Sequence, residues 1–271
     1  MKISIIGLGW LGTPLARELQ QQGHQVRGTS TSREKCDSLN TAGICCFQFV
    51  LAPYPKLPVP EALFDADLLL INIPPSTRTK PADFHPKQIN QLKNLITEHQ
   101  ISKILYVSAT SVYPSENQLA RESTVLSLAN TGNPSLLNAE NLLWKKKGYD
   151  LTVIRFGGLL GDDRIPGKYF SGKENVAGHP PVNYIHRRDA VRAVSWILDK
   201  DLWNETYNIV SPEHPSKKEV FEKNAAECGF PPPVSYESPA RQKWKKIGTE
   251  KWEKTGFQFM YPDPLDFTYR L

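Results

Sequence analysis

Three glycines spaced Gly7-x-Gly9-x-x-Gly12 follow directly on the apolar run Ile3-Ser4-Ile5-Ile6 and precede Leu15, Ala16 and Leu19, which with Leu11 fall on one helical face. This spacing suits the capture of a pyrophosphate. Gly7 permits the tight strand-to-helix turn, Gly9 lets the backbone approach the phosphates, and Gly12 lets the helix lie close to the strand. Trp10 and Leu11 sit between them, and the backbone amides of the loop, with the positive end of the helix dipole, would hold the anion. A glycine-rich turn without function is the alternative. The strand before and the helix after favour a dinucleotide site.

Which dinucleotide is expected depends on the end of the second strand. An NAD site usually carries a carboxylate there for the ribose 2′-hydroxyl. This chain reads Thr29-Ser30-Thr31-Ser32-Arg33, with no carboxylate in the run. Hydroxyl donors and a guanidinium suit a 2′-phosphate, so NADP is expected ahead of NAD. A polar turn with a solvent-facing arginine is the competing reading. Asn72, Pro74 and Pro75, at the end of the fourth strand, are expected to border the cofactor by shape.

The elements that must position these residues alternate along the chain. Strands are expected at 25–29, 45–50, 67–73, 103–108 and 151–155, and helices at about 86–100 and 134–147. Asn133 caps the second of these helices with Pro134 at its first position, and Gly148 stops it. A proline-rich connection runs from Ala52 to Pro60, and Pro74-Pro75 ends the fourth strand. Near-continuous apolar strands between helices predict an α/β fold, a doubly wound parallel sheet with ligand at the carboxyl ends of its strands. Residues 161–181, rich in Gly, Pro and charge, read as loops. A helix at 186–199, a strand at 205–210 and a helix at 216–228 capped by Ser216 follow, then an irregular basic and aromatic tail. The expected division is a dinucleotide-binding domain of residues 1–165, with 183–211 returning to it. A small substrate lobe takes 166–182 and 212–271.

Composition narrows the class. The 271 residues, 39% hydrophobic and 23% charged, are ordinary for a water-soluble globular chain. No apolar run is long enough to cross a bilayer, and glycines interrupt the apolar amino terminus, so the cytoplasm is the expected location. Cys36, Cys45, Cys46 and Cys228 have no metal-ligand spacing, and reduced structural thiols are expected. No metal site is expected. Between Arg241 and Lys254 lie six basic and two acidic residues with Trp244 and Trp252 among them. A solvated face or an anionic-substrate site outweighs nucleic acid as the reading of that segment.

Several later segments line up with one family. Tyr106-Val-Ser-Ala-Thr-Ser-Val-Tyr113-Pro resembles the strand-five signature of the extended short-chain dehydrogenases/reductases, the nucleotide-sugar epimerase and dehydratase group. Ile154-Arg155-Phe-Gly-Gly-Leu-Leu-Gly161, Asn183-Tyr-Ile-His186-Arg-Arg-Asp189 and Thr206-Tyr-Asn-Ile-Val are similar to its later strands and turns. With the glycine loop, the resemblance spans essentially the whole chain. It implies a Rossmann fold, a nicotinamide cofactor and a Ser/Thr-Tyr-Lys catalytic set. In that set the lysine lowers the tyrosine pKa and the tyrosine exchanges a proton with substrate.

The chain departs from that set. Ala109 stands where the family has Ser or Thr, and an ungapped match puts Gly132 and Leu136 at the Tyr and Lys positions. Its one Tyr-x-x-x-Lys, Tyr169 to Lys173, lies past the sixth strand. The resemblance therefore identifies an atypical member.

Tyr113, Ser111 and Ser108 are the candidate replacements, with Thr110, Glu122, Arg155 and His186 as neighbours able to bind or shuttle charge. Each has a structural alternative: hydroxyls satisfying loop backbone, Tyr113 as a cleft wall, His186 anchoring a helix start, Arg155 paired with a carboxylate. The expected function is an NADP-binding oxidoreductase or epimerase-like enzyme with a non-standard proton donor. The alternative is a non-catalytic NADP-binding, redox-sensing or regulatory protein. The substrate is a small molecule of unidentified kind, and a homodimer stays open.

Overall fold

The computed structural model describes residues 1–53, 59–76 and 79–270. The middle of the expected proline-rich connection, 54–58, lies outside the described residues. Alternation of apolar strands with one-sided helices gives β1 (Lys2–Ile6), α1 (Gly12–Gln21), β2 (Gln25–Ser30), α2 (Arg33–Thr41), β3 (Cys45–Gln48), β4 (Leu68–Ile71), α3 (Phe84–Glu98) and β5 (Lys103–Ala109). Then come β6 (Gln118–Ala120), α4 (Pro134–Trp144), β7 (Asp150–Phe156), β8 (Gly158–Leu160), β9 (Tyr184–His186), α5 (Arg187–Asp199), β10 (Thr206–Ile209), α6 (Lys217–Cys228), β11 (Lys245–Ile247) and α7 (Glu250–Glu253).

Seven strands form the central sheet in the order β10-β7-β5-β4-β1-β2-β3. The pairs β1–β2, β1–β4, β2–β3 and β4–β5 are parallel. Strand order therefore reverses between β1 and β4, the switch point at which doubly wound sheets open a crevice beyond the strand ends. The doubly wound α/β expectation holds. Buried Leu68, Leu69, Leu70 and Ile71 fill β4 completely, as a strand covered on both faces requires. Leu15, Ala16 and Leu19 bury one face of α1, and each leucine contributes roughly 2 kcal/mol by leaving water.

The chain divides into two compact units. One holds residues 1–108, 126–154 and 194–206, the other 109–125, 155–193 and 207–271. In the second unit β6 pairs in parallel with β11 and β8 with β9. Val176, Val182, Val220 and Phe221 make a small apolar core there, with Phe170 stacked on Phe221.

Several expectations change in detail. The polar run from Arg33 to Thr41 is a helix, with only Cys36 and Leu39 buried. Cys36 and Cys46 are paired as a disulfide, their Cα atoms 5.0 Å apart, because α2 lies against β3. That corrects the expectation of reduced thiols for these two, while Cys45 and Cys228 are free. Val50 is exposed beyond the end of β3. α4 ends at Trp144, before Gly148, and Lys146 takes a positive φ of 47°. His186 closes β9 instead of opening α5. The basic tail contains β11 and α7, and the 161–181 stretch carries isolated bridges and a short 3-10 turn at Gly167–Phe170.

Candidate functional site

The glycine loop of the first unit is set by backbone contacts. Gly7 has a φ of +109°, which other residues seldom adopt, and a Cβ there would strike the carbonyl oxygen of Asn72. A Cβ on Gly12 would strike the carbonyl oxygen of Gly7. Asn72 locks the arrangement by donating from Nδ2 to that same Gly7 oxygen at 3.0 Å, while its own backbone N–H donates to Ile6 at 2.9 Å. Gly9 differs: a Cβ there would meet nothing within 4 Å. The helix that follows has Leu11 at its N-cap with no side-chain cap, whereas α2, α4 and α6 are capped by Ser32, Asn133 and Ser216. The amino end of α1 brings its partial positive charge beside the open space at Gly9. This cradle fits a diphosphate.

The hydroxyl run after β2 separates into different roles. Thr29 is buried, and its Oγ1 accepts the Gly7 N–H at 3.0 Å, tying β2 to the glycine loop. Ser30 accepts from the Ser32 N–H at 3.3 Å. Ser32 caps α2 by accepting from Lys35 N–H at 3.2 Å. Thr31 is exposed, and the Arg33 side chain is 80% exposed with Asp37 no nearer than 4.0 Å. Pro74 is exposed and Pro75 half-buried just past β4, and Trp10 is half-buried in the loop.

The proton-transfer candidates fall in two places. In the first unit, Ser108 is buried at the carboxyl end of β5 and donates to Glu140 Oε1 at 2.5 Å, a distance typical of a charge-assisted bond. Glu140, buried on α4, has no counterpart in the sequence reading. A polar residue on the inner face of an apolar helix was the signal that could have found it. Tyr106, two residues before Ser108, holds His85 Nε2 at 2.7 Å. Burial lowers the His85 pKa to about 4 and, with the Glu140 charge, raises that of Tyr106. Gly132 is exposed and Leu136 buried, where the family pattern has Tyr and Lys.

In the second unit, Tyr113 is fully buried. Its hydroxyl donates to Asn208 Oδ1 at 2.9 Å and accepts from Arg155 at 2.6 Å. Burial raises the Tyr113 pKa against the opposing pull of Arg155, so the phenol keeps its proton. Glu122 accepts the Asn208 N–H at 2.7 Å, closing the network. Lys245 donates to the Tyr113 carbonyl at 2.5 Å, and burial brings its pKa down to about 8. Ser111 is exposed and Thr110 buried. His186 accepts the Arg188 N–H on Nδ1 at 3.2 Å, so the proton assigned to Nε2 points at the Thr268 carbonyl, 3.3 Å away. Tyr261 and Phe267 enclose its ring, and burial lowers its pKa. His186 thus anchors the start of α5. Among the described residues there is no cluster able to hold a metal ion and no helix long and apolar enough to cross a membrane.

Residues 2–125 match the family model described as the NAD binding domain of 6-phosphogluconate dehydrogenase. Among solved structures, a conserved protein of unknown function from Silicibacter pomeroyi superposes with a TM-score of 0.78 at 20% identity, over 97% of this chain and 95% of that one. UDP-glucuronic acid 4-epimerase from Bacillus cereus, in complex with UDP-glucuronic acid and NAD, gives 0.78 at 15% identity, over 98% and 96%. Both likenesses are of fold. Protein YeeZ of Escherichia coli is 33% identical over 270 residues, covering 97% of each chain. At that identity and near-complete mutual coverage, the chain belongs to the same family as Protein YeeZ.

Proposed function

We propose that this chain binds a pyridine dinucleotide at the β1–α1 loop, NADP in preference to NAD. We read it as an oxidoreductase or epimerase-like enzyme of atypical short-chain dehydrogenase/reductase type. The observation that carries the reading is the contrast among the three glycines: Gly7 and Gly12 are packed against backbone while Gly9 faces open space before an uncapped helix. Bound there, the nicotinamide would take up or give back a hydride. The chain's own part is to hold the diphosphate on backbone amides and to seat the far ribose beyond β2.

For the 2′-phosphate, Thr31 and Arg33 are the exposed donors, and the Ser32 hydroxyl still has a proton to give while its oxygen caps α2. Glu34, in the same first turn, is the acidic neighbour the phosphate has to tolerate. Calorimetry with the oxidised coenzymes tests this. Arg33→Asp is expected to weaken NADP binding about tenfold or more and NAD binding less than twofold, because a repelling carboxylate replaces a phosphate partner. Equal loss for both coenzymes would sink the NADP assignment.

A second reading, coenzyme binding without turnover, is favoured by Gly132 and Leu136. One is exposed without a side chain and the other is buried, so neither supplies the usual Tyr–Lys chemistry. Tight NADP binding with no coenzyme oxidation or reduction across a panel of nucleotide sugars would select it. In both readings the Tyr113 hydroxyl, held between Arg155 and Asn208, stabilises the second unit.

A further inference from the structure

Ile6, Ile71 and Tyr106 stand in register across β1, β4 and β5. Gly7 is therefore one residue beyond that row on β1, and Ser108 two residues beyond it on β5. Two strand spacings separate them, about 10 Å. A dinucleotide with its diphosphate on the β1–α1 loop and its long axis across the switch point would bring its nicotinamide toward β4 and β5. Ser108 is bonded to a buried acidic group that no role above uses. Ser108 holds the Glu140 carboxylate at 2.5 Å, and both residues are buried. The charge of Glu140 is felt by Tyr106, and His85, neutral above about pH 4, adds no positive charge to the cluster.

We propose that the buried Glu140 carboxylate, hydrogen-bonded to Ser108, makes the nicotinamide end of the coenzyme site prefer the oxidised, cationic ring over the reduced, neutral one by its charge alone. The proposal rests on the dinucleotide reading above and adds to it a residue and a redox preference. Glu140 acts as a positioning residue, by field and not by touching the ring. At an effective dielectric of about 20–30, a unit charge about 12 Å from a second charge is enough to bias two charge states by about fivefold.

Dissociation constants for NADP and NADPH, measured on the full chain and on Glu140→Gln, test it. The glutamine keeps an oxygen for the Ser108 hydroxyl and removes only the charge. The ratio of the oxidised to the reduced constant is expected to rise about fivefold. The affinity for 2′-phospho-ADP-ribose, which lacks the nicotinamide, is expected to stay within about twofold. Ser108→Ala, which keeps the charge, is expected to leave the ratio near that of the unsubstituted chain. An unchanged ratio in Glu140→Gln, or equal shifts in both variants, overturns the proposal while leaving coenzyme binding intact. Failure of the unsubstituted chain to bind either form overturns the dinucleotide reading and this proposal with it. Should Glu140→Gln not fold, the infrared difference spectrum between oxidised and reduced complexes of the unsubstituted chain decides. A perturbed carboxylate band is expected, and a flat carboxylate region refutes the proposal.

Discussion

In the first unit, β1, β2 and β3 are joined in sequence by α1 and α2, and each pairs with its neighbour in parallel. In the second unit, Asn117 and Trp244 exchange hydrogen bonds across 127 positions, and β6 finds its partner only in β11. Apolar strands dominate the first arrangement. The second relies on buried and half-buried polar side chains that grip distant backbone: Asn183 bonds both Lys245 and Ile247, Gln242 takes the His179 N–H, and Asp189 takes the N–H groups of Met260 and Tyr261. The difference teaches where each unit should be fragile. Shaving an apolar side chain in the first loses packing, whereas removing one carboxylate or amide in the second strands several buried partners at once.

Asp189 is the sharpest test of that difference. It is fully buried, and its two oxygens serve Met260 N–H and Tyr261 N–H at 2.8 Å and Arg192 at 2.7 Å. Asp189→Ala leaves two amides and a guanidinium without their acceptor and is expected to cost about 4 kcal/mol. Urea denaturation followed by fluorescence measures it. A loss below about 1 kcal/mol would mean that the tail segment is not held by this carboxylate and that the two units do not differ as described.

The first unit has its own buried polar pair, and pH probes it separately. His85 is lowered from 6.5 to about 4 by burial, so the folded state disfavours its protonated form. Between those two values the unfolded chain binds a proton that the folded chain refuses, and stability therefore rises with pH across this window. The contribution is fully present above pH 6.5 and is lost as pH falls toward 4, on the order of 3 kcal/mol. His85→Gln, which can still bond the Tyr106 hydroxyl, is expected to flatten that part of the stability profile. A profile of unchanged slope would remove His85 as its source.

How much of this was readable from residues alone follows the same division. The glycine loop, the Asn133–Pro134 helix start and the Ser216 cap are written in adjacent positions, and the structure has the Ser216 cap as a full capping box with Glu219. Strand–helix alternation sufficed for the doubly wound sheet. α2 escaped because REKCDSLNT offers only Cys36 and Leu39 to the core, too thin an apolar stripe to register as helical. The Cys36–Cys46 pairing escaped with it, since it depends on α2 lying against β3. Glu140 was hidden because a carboxylate among leucines has no local pattern, and its bond to Ser108 reaches across 32 positions. The second unit was the least readable part. Asn183, Asn208 and Asp189 look like ordinary polar residues until distant partners, 40 to 95 positions away, are in place.

The smallest expected change in stability is also the one that ties the comparison to function. Gly9 and Gly12 sit in the same loop, yet a Cβ at Gly12 overlaps the Gly7 carbonyl while one at Gly9 meets only open space. Gly12→Ala must therefore push α1 away from the turn, an overpacking cost of about 2 kcal/mol. Gly9→Ala should leave stability within about 0.5 kcal/mol, because its backbone is outside the left-handed region and nothing is displaced. Binding is expected to order the other way in relation to that cost. Gly9→Ala, at full stability, should lose about tenfold or more in NADPH affinity, since the methyl occupies the approach of the diphosphate. Fluorescence titration of both variants beside their urea midpoints separates the cases. A Gly9→Ala chain that binds NADPH like its parent would mean that the open space is not a ligand's. One as unstable as Gly12→Ala would mean that the loop is spaced for packing alone.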